Sequence, residues 1–245
     1  MKIPSADVIE RLKRDDVFAR NDLYDVLKES NKTISESIAN HMLQQLLNEG
    51  YIVRVGRNKY SVSHPDCKVY EYLYSKNAES VAKEISKNHP YLDFRIFELI
   101  QLNEFVNHLV AHNVIFVSVE SDLGDFVFSS LKSIYPGKVL INPDIDTYHN
   151  YVTDNTIVIE KLITEAPKGI EKNWHSRLEK TLVDIISDKW ISLAVSEGEL
   201  GNIYEGAFSK YVIDENTMFR YARRRGAEEK IKGFLMDTNV KLRTV

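Results

Sequence analysis

Ser37, Asn40, His41 and Gln44 recur at intervals of one to four residues between Thr33 and Gly50, a spacing that places them on one side of a helix. Asn and Gln amides can pair at two points with adenine edges, and a Ser hydroxyl can bond to several bases. Ser35 stands near the start of the same stretch. Lys32 precedes it, and Arg54, Arg57, Asn58 and Lys59 follow it; the cations among them could each neutralise a phosphate. The set fits double-stranded DNA as a partner. One feature favours a different partner. No Arg or Lys lies between Lys32 and Arg54 to read guanine, and Glu36 would meet phosphates unfavourably. A module that serves protein contacts alone is therefore a second reading.

A second chemistry would need carboxylates. Glu179, Asp184 and Asp188 fall on or near one helical stretch, and Glu98, Glu120 and Glu160 on or beside strand-like stretches. Such carboxylates with a lysine could hold magnesium in a nuclease. Glu160 and Lys161 are adjacent, however, so on a strand they point to opposite faces. Glu179 is five residues from Asp184, about 500° of helical rotation. That spacing disfavours hydrolysis. Cys67 and His64 are close in sequence with nothing to orient them as nucleophile and base. The chain has no Gly-rich phosphate loop, no Gly-x-Ser-x-Gly elbow, and no His-Glu-x-x-His or Cys-x-x-Cys spacing. No catalytic residue, metal site or cofactor is expected.

The elements that position these residues follow from periodicity. Ser5 can cap a helix with Val8, Ile9 and Leu12, ending near Asp15–Asp16. Asn21 can cap a second with Leu23, Val26 and Leu27 on one side. After the turn Asn31-Lys32-Thr33, the row Ile34, Ile38, Met42 and Leu46, joined by Leu43 and Leu47, predicts a third helix. Thr33 and Glu36 have capping-box spacing, and Gly50 ends the helix. The rhythm then becomes two-fold over Tyr51–Val55 and Lys59–Val62 around Gly56-Arg57-Asn58, which predicts a hairpin. Three helices and a basic-tipped hairpin over 1–63 make a winged helix-turn-helix arrangement.

A connecting helix is expected within 64–90, through Val69 to Ile85, and an α/β domain over 91–245. Strands are expected at Phe94–Ile100, Val114–Val119, Lys138–Ile141 and Thr156–Ile163. Helices are expected at Asn103–His112 and 123–134, and a helical, basic region from Ser176 onward. The fold class is thus α/β, of the α+β kind. A single cysteine and a charged N-terminus without an apolar core point to the cytoplasm, and no stretch is long and apolar enough for a bilayer. Net charge is −4, unevenly spread. Residues 220–245 carry eight Lys/Arg against three Asp/Glu, 1–63 are close to balance, and the middle is acidic. An acidic body with a basic tail suggests two surfaces with different partners.

The stretch Trp174-His175-Ser176-Arg177-Leu178-Glu179-Lys180-Thr181-Leu182-Val183-Asp184 is similar to the Glu-Lys/Arg-Thr/Ala-Leu-hydrophobic-Asp helix of AbiEi-type antitoxins. Glu197–Tyr211, rich in small residues, and Ile213-Asp214…Phe219-Arg220-Tyr221-Ala222 extend the resemblance. It implies a DNA-binding repressor of its own operon, belonging to a type IV toxin–antitoxin system and opposing a nucleotidyltransferase-like toxin. It also implies that the winged helix binds operator repeats and that positive surface on the C-terminal domain contributes. By position that surface is Arg220, Arg223, Arg224 and Arg225.

Overall fold

The computed structural model describes residues 6–12, 17–30, 33–48, 51–62, 69–169, 171–238, 240 and 242. The chain opens with helices α1 (Ala6–Leu12), α2 (Arg20–Ser30) and α3 (Glu36–Asn48), then strands β1 (Ile52–Gly56) and β2 (Lys59–Val62). The strands pair antiparallel, with Ile52 opposite Val62 and Arg54 opposite Tyr60. Asn58 turns the hairpin at φ 56°, a left-handed conformation that Asn adopts more readily than most L residues. On the other side of β2, the backbones of Phe18 and Tyr60 exchange two 2.8 Å hydrogen bonds. Val8, Leu12, Phe18, Leu23, Leu27, Ala39, Leu43, Leu46, Ile52, Tyr60 and Val62 form the core of this module.

The helix details depart from the sequence reading. The buried stripe of α3 is Ala39, Leu43 and Leu46, flanked by the half-buried Met42, whereas Ile38 is 42% exposed. At about 100° per residue, a stripe centred on 39, 43 and 46 carries position 38 out to the flank. At the start of α3 the Ser35 hydroxyl accepts the Ile38 N–H at 3.4 Å. α2 likewise starts before Asn21, with Asp22 accepting the Ala19 N–H at 2.6 Å. Ser5, Asp15–Asp16, Asn31-Lys32 and Gly50 lie outside the described residues.

The rest of the chain is an α/β domain. Its sheet contains β3 (Phe94–Glu98), β4 (Val114–Val119), β5 (Val139–Ile141) and β6 (Thr156–Lys161) in the order β3-β4-β6-β5. β3 is antiparallel to β4; β4, β6 and β5 run parallel. Alternation divides each strand between two cores. Phe94, Ile96, Ile115, Val117, Val119, Ile157 and Ile159 face helices α4 (Lys76–Asn88) and α5 (Gly124–Ile134). Phe97, Val114, Phe116 and Val158 face the opposite layer. That layer contains α6 (Ile145–Tyr151), α7 (Leu178–Ser187), α8 (Lys189–Ala194), α9 (Glu197–Lys210), α10 (Glu215–Arg224) and α11 (Glu228–Met236). Phe116 and Val158 are fully buried, each contributing roughly 1.5–3 kcal/mol by leaving water.

Two expected elements changed and one unexpected helix was added. Residues 69–75 are extended rather than helical. Tyr70, Tyr72 and Tyr74 turn inward while Val69, Glu71 and Leu73 are exposed, a two-residue rhythm. The helix begins only at Lys76, because Ser75 caps it and is tied to Glu98 by bonds of 2.8 and 2.6 Å. α4 then covers the sheet instead of bridging two domains. Asn103–His112 is not a helix: Leu99–Glu104 forms a 3-10 turn, and the Asn103 amide bonds the Val110 N–H and C=O at 2.7 and 3.2 Å. A side chain that satisfies backbone groups locally offers the chain an alternative to helix. α6 was not expected; Asp144 caps it by accepting the Thr147 N–H at 2.7 Å.

Candidate nucleic-acid interface and a buried ionic network

On α3, Ser37, Asn40, His41 and Gln44 are all exposed, opposite the buried Ala39, Leu43 and Leu46. Ser35 is exposed as well, with its hydroxyl engaged in the cap. On the hairpin, Arg54, Arg57, Asn58 and Lys59 are exposed. Lys32 lies outside the described residues. An open cleft of about 280 Å³ is lined by Arg20, Asn21, Arg54, Arg57, Asn58 and Tyr60. A second, of about 120 Å³, is lined by Arg20, Asn21, Tyr24, Glu36, Ala39 and Asn40.

Arg20 and Asn21 belong to both clefts, and so link the hairpin to the first turn of α3. The Arg20 N–H donates to the Asn58 side-chain oxygen at 3.3 Å, which holds the hairpin tip against the start of α2. Among the described residues, neither Arg20 nor Arg57 has an ion-pair partner. Sequence reading missed Arg20 and Asn21 because they sit 34 and 33 residues before Arg54; only the packing of α2 against the hairpin brings them together. Their one available signal was a cation at the mouth of an amphipathic helix.

The four C-terminal arginines divide. Arg220, Arg223 and Arg224 on α10 are 56%, 58% and 55% exposed and face Glu165, Glu228 and Glu165 at 3.4, 3.1 and 2.7 Å. Arg225 turns inward, 3.4 Å from Asp184 and 3.0 Å from Asp188, and donates to the Ser187 hydroxyl at 2.9 Å. It does not share the surface of the other three. α10 packs against β1. Val55 of β1 is fully buried, although it is not among the residues that form the N-terminal core.

Beneath α7 lies an ionic network. Lys180 and Asp184 are both buried and 2.6 Å apart. The Tyr221 hydroxyl donates to Asp184 at 3.0 Å, and Asp188 caps α8 by accepting the N–H groups of Trp190 and Ile191. From the sheet, Glu160 accepts the Ser118 hydroxyl at 2.7 Å. Burial, then the negative charges of Asp188 and Asp184, push the Glu160 carboxyl up to about 8, with Lys180 opposing. At neutral pH two cations thus face two carboxylates, and the third carboxyl is protonated. Glu179 accepts a two-pronged Arg177 guanidinium at 3.0 and 2.7 Å and the Asp214 N–H at 2.9 Å, which ties the start of α7 to the start of α10.

Glu160, Asp184 and Asp188, which the sequence left scattered, do converge, but around Lys180 and Arg225. Among the described residues no group of three or more His, Cys, Asp or Glu side chains is placed to hold a metal ion. Glu98 is occupied by Ser75 and by the Asn113 amide at 2.7 Å, and Glu120 is exposed. Cys67 and His64 lie outside the described residues. No helix among them is long and apolar enough to cross a membrane.

A search of curated proteins finds no match. Among solved structures, the crystal structure of the RV2827C protein from Mycobacterium tuberculosis is similar over 98% of this chain and 84% of that one. Identity is 13% and the TM-score 0.25. The pattern of a family described as a family of unknown function, DUF6577, matches residues 38–241. That span takes in most of the chain, from within α3 to beyond α11, and the chain belongs to this family.

Proposed function

We propose that this protein is a DNA-binding transcriptional regulator resembling AbiEi-type antitoxins. In this reading it acts in the cytoplasm without catalysis of its own, represses its own operon and opposes a nucleotidyltransferase-like toxin. The observation that carries the reading is the continuity of the exposed face of α3 with the arginine-lined cleft of the hairpin. In a winged helix-turn-helix protein, the third helix enters the major groove and the hairpin meets the backbone beside it. Ser37, Asn40, His41 and Gln44 would face base edges, while Arg20 and Arg57 would take phosphates. Binding of the protein to its own upstream duplex, followed over a salt series, tests this. The logarithm of affinity should fall linearly with the logarithm of salt, and Arg57→Ala should lower that slope by about one. Failure to bind at low salt would end the reading.

One observation favours a second reading, a non-catalytic adaptor that uses the same module for protein contacts. The large apolar side chain of Ile38 is 42% exposed on α3, which has no cation on its surface. A magnesium-dependent nuclease is disfavoured, because Lys180 and Arg225 already supply the positive charge among its carboxylates.

A further inference from the structure

Arg220 and Arg224 stand one turn apart on α10 and converge on a single carboxylate. Arg224 donates through Nε and a terminal nitrogen to one Glu165 oxygen at 3.1 and 2.7 Å. The Arg220 Nε stands 3.4 Å from the other oxygen. Together with the nearby Arg223, they hold the carboxyl below its ordinary range. Guanidiniums gripping a small oxyanion from two sides are also the geometry that proteins use for phosphate.

Two properties mark Glu165 as an occupant that can leave. It is 36% exposed and both arginines are more than half exposed, so the contact can open without unfolding anything. Its backbone has φ 65°, in the left-handed region that a non-glycine residue seldom adopts. The loop between β6 and α7 therefore holds an acid in an unfavourable conformation against two cations. The helix carrying those cations packs on β1, the strand of the hairpin that bears Arg54.

The family resemblance already implies a DNA contact at Arg220 and Arg224; we propose that in the free protein Glu165 occupies this pair as a built-in competitor of a DNA backbone phosphate. The inference rests on the DNA-binding reading above. Glu165 lowers affinity for every duplex equally, since a phosphate contact carries no base sequence. The setting of Glu165 thus tunes how much protein is needed to hold an operator.

The experiment uses the full chain and its own upstream duplex at about 50 to 200 mM salt. Glu165→Gln removes the charge. Glu165→Asn removes it with a residue that tolerates the left-handed backbone, so a folding defect in the first variant does not decide the outcome. Both should bind roughly three- to tenfold more tightly than the parent, as expected for releasing two exposed ion pairs. Adding Arg220→Ala or Arg224→Ala to either variant should abolish the gain. Unchanged or weaker binding by both Glu165 variants, with the parent binding DNA normally, would overturn this inference and leave the regulator reading intact. Absence of DNA binding by parent and variants alike would overturn both.

Discussion

On α3 and the hairpin, Ser37, Asn40, His41, Gln44 and Arg57 stand in water, whereas the charges of Lys180, Asp184 and Asp188 under α7 are closed off from it. The contrast follows from solvation. A charge in water loses little by standing alone, and a charge in the interior must find its opposite or be neutralised. The network therefore matches two cations with two carboxylates, keeps Glu160 protonated, and ties α7 to α10 through Tyr221 and Arg225. Among the described residues, Arg20 and Arg57 have no ion-pair partner and can accept an external one. The same residue types thus serve architecture in one region and stand in solvent in the other. Neither the overall charge of −4 nor a count of arginines tells the two regions apart.

The largest effect should come from breaking the interior pairing. Asp184→Ala leaves Lys180, Tyr221 and Arg225 facing an apolar gap and should cost on the order of 3–5 kcal/mol in urea unfolding. A cost below about 1 kcal/mol would mean that water already reaches the network, and the contrast between the two regions would fail.

A second test concerns protons. The folded Glu160 carboxyl sits at about 8 against an ordinary 4.5, so the unfolded chain releases its proton first. Between those values the unfolded state binds fewer protons, and stability falls as pH rises, by at most about 1.4 kcal/mol per pH unit. The stability from the neutral carboxyl is complete below pH 4.5 and lost by about pH 8. Glu160→Gln keeps the shape without the titration, so its advantage over the parent should grow across that window in denaturation curves. A constant difference at every pH would show that the Glu160 carboxyl titrates alike in the folded and unfolded chain.

The smallest effect on the fold should come from the exposed face. Asn40→Ala and Gln44→Ala should leave the melting temperature unchanged, since neither side chain is buried. Each should remove about 1–3 kcal/mol of preference for the upstream duplex over a scrambled one in competition binding. Equal loss of affinity for both duplexes would assign these residues to the backbone instead of the bases.

How much of this was legible depends on the range of the contacts. α3 and the hairpin follow from a local change of period near Gly50, and β4 from the nearly unbroken apolar run Val114–Val119. The exposed set on α3 was readable even though the buried stripe was placed one residue off, because Ser37, His41 and Gln44 lie far from the core under either registration. The alternation Tyr70, Tyr72, Tyr74 was also present in the sequence, but helix-forming neighbours downstream masked it. Three-dimensional closure was not legible. Nothing local places Glu160 beside residues 184 and 188, or Arg20 beside Arg57. Nor does it send Arg225 inward while Arg224, its neighbour in the chain, stays in solvent.

The strand order has a consequence for synthesis. Of the four strands of this sheet β6 is the last to leave the ribosome, yet it occupies the slot between β4 and β5. Until Thr156–Lys161 emerge, β5 has no neighbour to bond and β4 presents one apolar flank of unpaired backbone. Nascent chains held short of that point carry a sticky open edge, and crowded polysomes would favour pairing between copies there. Once β6 arrives, a single insertion pairs both neighbours, so the sheet closes in one step, before the layer of α7–α11 is added.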